Sequence, residues 1–251
     1  MRCKHLFPIY AVSDIMSEQT NKNAKYADKF KTVLKLRSEP VAVKLIKKGT
    51  KYPEGYSVPE KQLSHCQAVM NARNGGAYKM PLDAQGCHVG AACLGMMKNP
   101  EKVANGEFHA GIGIHESSAS AKAMIDQRLD VDYETDGEVI CPLKDADFVP
   151  DVVVFVDVPE RIYWFESLLT YEKGGRVKYT TAPFQCACED ITAMPIMTGM
   201  PNISLGCFGC RKKTDMRSDE LAIGVPYNLI PDMVKTLDVY KDGVLTKAKR
   251  D

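Results

Sequence analysis

The stretch DVVVFVDVPERIYWFESLLTYEKGG, residues 151–175, decides the fold of this chain. Its first eight residues form an apolar, mostly β-branched run, which predicts a strand buried on both faces. A helical pattern follows, with Pro159 near its first turn and two glycines after its last. A buried strand that leads directly into a helix indicates a sheet with helices packed on it.

The rest of the chain alternates in the same way between strand and helix patterns. Strands are predicted for PVAVKLIK from Pro40, AYKMPL from Ala77, GEVICPL from Gly137, RVKYTTA from Arg176, NISLGC from Asn202 and ELAIGVP from Glu220. Helices are predicted within residues 24–35, 61–76, 88–97, 117–129, 189–199 and 227–240. Together they predict an α/β fold, in which a mixed sheet carries helices on its faces.

The 251 residues are enough for one large domain. We predict a single α/β domain over residues 23–251, with a subdivision near residues 145–150 as the alternative. Residues 1–22 are predicted to be an N-terminal extension with little order, because a normal polar entry into a helix begins only at Met16. Cys3 falls in this extension and is given no role.

Composition and charge argue against several classes of partner and location. The net charge of +1 provides no field that would attract nucleic acid. No stretch approaches the roughly 18 apolar residues of a membrane span, and the first apolar run is too short for a secretory signal. We therefore expect a cytoplasmic protein with no nucleic acid or membrane partner.

Nine cysteines are the most informative feature of the composition. In a reducing compartment, clustered cysteines are more often metal ligands or redox groups than disulfides. Cys87 stands at a glycine-marked turn before a helix, where free N–H groups stabilise a thiolate. Cys207 and Cys210 follow a strand in a glycine-containing loop. Cys186 and Cys188 share a face only if their segment is extended, and on a helix they point apart.

Two cysteines are interpreted as ordinary buried residues with no functional role. Cys141 ends a predicted strand, and Cys93 lies six residues after Cys87 on a predicted helix, where the two would face different directions. Free cysteine is often simply a small buried apolar residue. The cysteines in turn-like contexts instead lie at strand–helix junctions, where α/β sheets build binding sites.

Several long motifs resemble one known family. They are PVAVKLIK, HCQAVMNARNGGAYKM, GCHVGAACLGM, DFVPDVVVFVDVPE, LTYEKGGRVKYTTA, CEDITAMPIMTGMPNISLGCFGCRK and AIGVPYNLI. In this order they resemble domain-of-unknown-function family 169, an uncharacterised family of archaea and anaerobic bacteria. The resemblance runs from about residue 25 to the C-terminus.

The resemblance ranks the cysteines. The family pattern implies conserved positions that match Cys66, Cys87, Cys188 and Cys207. Cys186 and Cys210 are reserve ligands, since the family has small residues or serine there. This chain reads GCHVGA where the pattern has Cys-Pro-Gly-Gly-Ala, so the turn before that helix is expected to differ.

Four cysteines from separate junctions match the ligand number of a four-iron four-sulfur cluster or of a structural zinc ion. Zinc sites normally pair Cys-x-x-Cys motifs locally, so the cluster is favoured. The alternatives are a zinc-stabilised interaction protein, a non-enzymatic module that binds a tetrapyrrole, redox thiols, and no metal at all. A cluster with four cysteine ligands suits electron transfer, whereas an open iron would suit Lewis-acid chemistry.

Other side chains are predicted to bind the cofactor: Arg211 and Lys212 after the last cysteines, and His65 and His88 beside two of the ligands. His109 and His115 lie in a glycine-rich loop that would hold an anion or be a plain surface loop. We expect a homo-oligomer that meets an electron-transfer protein or a small-molecule ligand. No P-loop, dinucleotide-binding or hydrolase motif is present.

Overall fold

A computed structural model describes residues 12–248 of the chain, and their side chains from residue 17 onward. The strands are β1 (Val41–Lys47), β2 (Tyr78–Pro81), β3 (Thr135–Pro142), β4 (Val152–Asp157), β5 (Asn202–Ser204) and β6 (Leu221–Pro226). They form one sheet in the order β2-β3-β1-β4-β6-β5. All five ladders between these described strands are antiparallel, which refines the predicted mixed sheet.

The α-helices are α1 (Val12–Leu34), α2 (His65–Ala72), α3 (His88–Cys93), α4 (Glu101–Ala104), α5 (Glu107–Gly111), α6 (Ser118–Ile125), α7 (Pro159–Thr170), α8 (Met194–Thr198), α9 (Phe208–Lys213) and α10 (Ile230–Asp242). A π-helix spans Cys186–Ala193. Short 3-10 turns lie at Leu82–Ala84, Leu143–Asp145, Tyr227–Leu229 and Val244–Thr246. Of the described helices, none is both long and apolar enough to cross a membrane.

Strand β4 lies inside the sheet, and all six of its residues are buried. Alternation along the strand sends Phe155 into a core with α1, α7 and α10, where its ring lies 4.8 Å from Phe30 and 4.5 Å from Phe165. Val152 and Val154 face the other side, against α2 and the π-helix. This confirms the predicted α/β domain with helices on both faces.

The chain also crosses the proposed subdivision near residues 145–150 without leaving this domain. β3 and β4 belong to the same sheet, and the Asn23 side-chain amide donates to the carbonyls of Ala146 (2.8 Å) and Phe148 (3.0 Å). The segment is therefore fastened to α1.

The predicted N-terminal extension overlaps with α1. Residues 12–22 are helical, and Gln19 donates to the Tyr227 hydroxyl at 2.8 Å. The first part of the extension, with Cys3, lies outside the described residues.

One strand prediction is wrong. Residues 176–182 form no strand, because the backbone N–H and C=O of Thr180 bond to the Asn202 side chain, at 2.9 and 2.7 Å, instead of to a ladder. The segment runs over the surface beside the sheet edge.

Candidate functional site

One cavity of about 260 Å³ brings the predicted ligands together. Cys66, Cys87, Cys188 and Cys207 all line it, although up to 141 positions separate them along the chain. The cavity lies on the sheet face that carries α2 and the π-helix. The four thiols therefore converge through the packing of separate elements.

Each of these cysteines stands at the beginning of a helix. Cys87 and Cys207 are the N-cap residues of α3 and α9, Cys66 is the second residue of α2, and Cys188 lies in the first turn of the π-helix. Backbone N–H groups are unpaired at helix N-termini and carry partial positive charge there. At Cys207 one of these N–H groups bonds to the sulfur atom itself, since the Cys210 N–H donates to Cys207 Sγ at 3.3 Å. Such N–H groups can donate to a thiolate or to another anionic group bound there.

The π-helix that carries Cys186 and Cys188 is entirely buried. Gln185 before it is left-handed (φ 64°), and Thr192 Oγ1 donates to the Ala187 carbonyl at 2.8 Å. Strand β6 runs directly beneath, since a methyl group built on Gly224 would lie 2.0 Å from the Ile191 carbonyl oxygen. π-Helical turns are rare and frequently occur at functional sites.

Two glycines leave the space between the sulfur atoms open. A methyl group built on Gly90 would lie 3.6 Å from Cys188 Sγ and 3.9 Å from Cys87 Sγ. One built on Gly209 would lie 3.8 Å from Cys207 Sγ. Both glycines line the cavity beside these thiols, so no side chain at either position fills the space next to the sulfur atoms.

The reserve cysteines form a layer behind the cavity. Cys186 Sγ accepts a hydrogen bond from the Cys207 N–H at 2.7 Å, and Cys210 Sγ lies 3.8 Å from Met216 Sδ. The Cys186 thiol, and then burial, raise the pKa of Cys207. Cys188, the other cysteine of the π-helix, has a different neighbour. The Cys93 thiol, and then burial, raise the pKa of Cys188.

Cys141 lies apart from this group. Residues Val139 and Cys141 of β3 face the core on the opposite side of the sheet, whereas Ile140 faces the cysteine side. The Cys141 thiol donates a hydrogen bond to the Tyr56 hydroxyl at 3.8 Å. Burial raises the pKa of Cys141 to about 12.

The geometry differs from that of a single-ion site. Within the described part of the chain, no three His, Cys, Asp or Glu side chains converge closely enough to hold one metal ion. In a cubane cluster each thiolate binds a different iron atom, so its ligands surround a larger volume than the ligands of one ion.

The predicted cofactor-binding residues divide into two groups. His65 and Lys212 line the cavity. His88 is exposed outside it. Arg211 is not a cavity residue: its guanidinium donates to the carbonyls of Leu205, Arg217 and Glu220 at 2.8 Å. These hydrogen bonds fasten the loops around α9.

Two buried charged residues beside the site were not predicted. Glu138 is fully buried in β3, and its carboxylate pairs with His65 Nδ1 (2.7 Å) and the Gln85 side-chain amide (2.9 Å). The Arg128 side chain is 2% exposed and donates to Asn99 at 2.7 Å. A lone carboxylate in the apolar pattern GEVICPL was the available signal for Glu138; none marked Arg128.

Comparisons with known proteins agree with the resemblance. The sequence model of the family DUF169, described as "Uncharacterised ArCR", matches residues 29–236. The uncharacterised protein MJ0308 of Methanocaldococcus jannaschii is 29% identical over 223 residues, which cover 88% of this chain and 96% of the relative. No solved structure gives a significant match. The family match covers well over half of the chain, which therefore belongs to the DUF169 family.

Proposed function

We propose that this protein binds a four-iron four-sulfur cluster through Cys66, Cys87, Cys188 and Cys207, in the cytoplasm of an anaerobe. One observation carries the proposal: four cysteines from four separate helix N-termini line the same cavity. Grouping four thiols around an open space, with Cys188 and Cys207 buried, has no structural benefit, since the sheet face already has a large apolar core. The cationic iron–sulfide core of a cluster, bound to the four sulfur atoms, would make the arrangement favourable.

The chemistry of the surrounding groups fits such a cluster. Four thiolates give it a net negative charge, and helix N-termini stabilise negative charge. Lys212 and Lys213 add two cations at the cavity mouth. The cluster would supply electron transfer, or Lewis-acid chemistry if one iron lacked a protein ligand.

The alternatives receive less support. A structural zinc ion needs a converging ligand set, and the described residues offer none. A tetrapyrrole is larger than this cavity holds, since about 260 Å³ is below the roughly 300–1,000 Å³ of pockets for drug-sized ligands. The cluster remains the cofactor that matches both the donor set and the space.

The test is chemical analysis of protein that is purified without oxygen. We expect iron and acid-labile sulfide in equal amounts, and a broad brown absorption shoulder near 400 nm (roughly the thiolate-to-iron region). Cys207→Ser should lose both iron and colour. Cys141→Ser is the matched control and should keep them, because Cys141 faces the other side of the sheet. Full iron and sulfide in the Cys207→Ser protein would disprove the ligand assignment.

A further inference from the structure

The cavity has a second wall, which a metal cluster does not explain. Val89, Phe108, Ile112, Phe184 and Phe208 line it together with the cysteines, and we call these five residues the aromatic wall. Phe108, Ile112 and Phe208 are 47%, 36% and 45% exposed. Large apolar side chains grouped at the mouth of a cavity are typical of a ligand site.

A buried imidazole lies within this wall. His109 lines the cavity, is 1% exposed, and packs its ring 4.6 Å from Phe184 and 5.2 Å from Phe108. Its Nδ1 has no hydrogen-bonding partner in the part of the chain that the structure describes. A buried unpaired ring nitrogen is unfavourable, and a ligand that bonds to it would remove the penalty. Since a neutral imidazole has one donor and one acceptor, it suits a carboxylate, carbonyl or hydroxyl.

The charge at the mouth selects for an anion. Lys212 and Lys213 line the cavity and are exposed, and across residues 17–248 no carboxylate forms an ion pair with either side chain. None of the described Asp or Glu residues lines the cavity. Lys212 Nζ lies 5.6 Å from the centre of the Phe208 ring, so a cation stands directly beside the aromatic wall.

From these three features we infer that the cavity binds a small organic acid with an unsaturated or aromatic carbon body. The carboxylate lies at Lys212 and Lys213, the carbon body packs on the aromatic wall, and His109 bonds to a polar group of the ligand. The same cavity of about 260 Å³ would also hold the cluster, so the space that is left limits the ligand to a small molecule. The inference rests on the proposed function only in that the cluster would form the inner end of the cavity.

Calorimetric titration of the anaerobically purified full-length protein tests this with benzoate and with benzamide, its uncharged counterpart of similar shape. We expect benzoate to bind about tenfold more tightly than benzamide, because a charge-assisted contact is worth that ratio or more. The double variant Lys212→Ala/Lys213→Ala should abolish the difference. The parent protein should bind 4-hydroxybenzoate more tightly than benzoate, because the hydroxyl gives His109 a second polar group to bond. His109→Phe should abolish this preference.

The double variant Lys241→Ala/Lys247→Ala is the matched control, since it removes the same charge from exposed residues outside the cavity. It should bind benzoate normally. Equal affinity for the two probes, no benzoate binding, or benzoate binding that survives loss of Lys212 and Lys213 would overturn the inference. Iron measured on the same samples separates the two proposals: benzoate binding without iron contradicts only the cluster, and iron without charge-dependent binding contradicts only the organic acid.

Discussion

The imidazole of His65 and the carboxylate of Glu138 are hydrogen-bonded at 2.7 Å, and both side chains are buried. His65 Nε2 also lies 3.0 Å from Thr192 Oγ1. This chain of contacts joins β3, α2 and the π-helix immediately beside Cys66. It fixes the first turn of α2, from which that cysteine reaches the cavity.

Removal of the Glu138 carboxylate should therefore destabilise the fold. In Glu138→Leu the buried donors of His65 and Gln85 lose their acceptor, and we expect the free energy of unfolding to fall by about 3 kcal/mol. Glu138→Gln keeps an oxygen acceptor and should lose about 1 kcal/mol. Urea titration measures both values. Equal losses in the two variants would show that the hydrogen bonds do not matter.

Gly90→Ala should change fold stability and cluster content in opposite directions. The new methyl group makes only ordinary contacts in the metal-free protein, at 3.6 Å from Cys188 Sγ, and alanine is favoured over glycine inside a helix by about 0.5–1 kcal/mol. The same methyl group occupies the space between two ligands, so less iron should be incorporated.

Thermal unfolding and iron analysis measure these two effects of Gly90→Ala. Gly111→Ala is the control, since a methyl group there meets nothing within 4 Å. It should leave the iron content unchanged. A Gly90→Ala protein with full iron content would place the cluster away from α3.

His109 should make stability depend on pH. Burial, and then the Arg128 guanidinium and His115, lower the pKa of His109 from 6.5 to about 4. Between pH 6.5 and 4 the unfolded chain therefore binds more protons than the folded one, so this contribution to stability is complete above pH 6.5 and is lost as the pH falls towards 4. The loss is roughly 3 kcal/mol.

Two neighbouring carboxylates act in the opposite sense, since burial raises the pKa values of Glu189 and Asp190 to about 7. Urea titrations of the parent and of His109→Gln at pH 7 and pH 4 cancel this shared contribution. The parent should lose more stability on acidification than the variant. The same loss in both proteins would contradict a depressed His109 pKa.

Asn202→Ala should release the surface segment of residues 176–182. The Asn202 amide donates to the carbonyls of Thr180 (2.7 Å) and Asp190 (2.9 Å) and accepts from the Thr180 N–H. We expect a loss of about 2 kcal/mol and faster hydrogen exchange at the Thr180 amide. Asn202→Asp keeps the acceptor and should protect that amide better than alanine does. Unchanged exchange in Asn202→Ala would show that another group holds the segment.

The predictions from sequence succeeded where the local residue pattern matches the surroundings of those residues in the folded protein. The apolar run at residues 152–157 became an inner strand because its side chains are buried on both faces of the sheet. Pro159 begins α7 as predicted, since its fixed φ suits the first helical position. Residues 176–182 have the same β-branched character, but a distant asparagine side chain took their hydrogen bonds.

The chain by itself determined the class of the fold, the turn before α3 at which Cys87 stands, and the family, because these follow from sequence patterns. The helix that begins after Cys207, and the position of Cys66 in the first turn of α2, were not predicted. Only the tertiary structure decided that four such N-termini meet at one cavity, that Cys141 faces away from it, and that β6 approaches the π-helix at Gly224. The physical reason is that a site assembled from distant segments depends on strand order and helix packing, which no local spacing encodes.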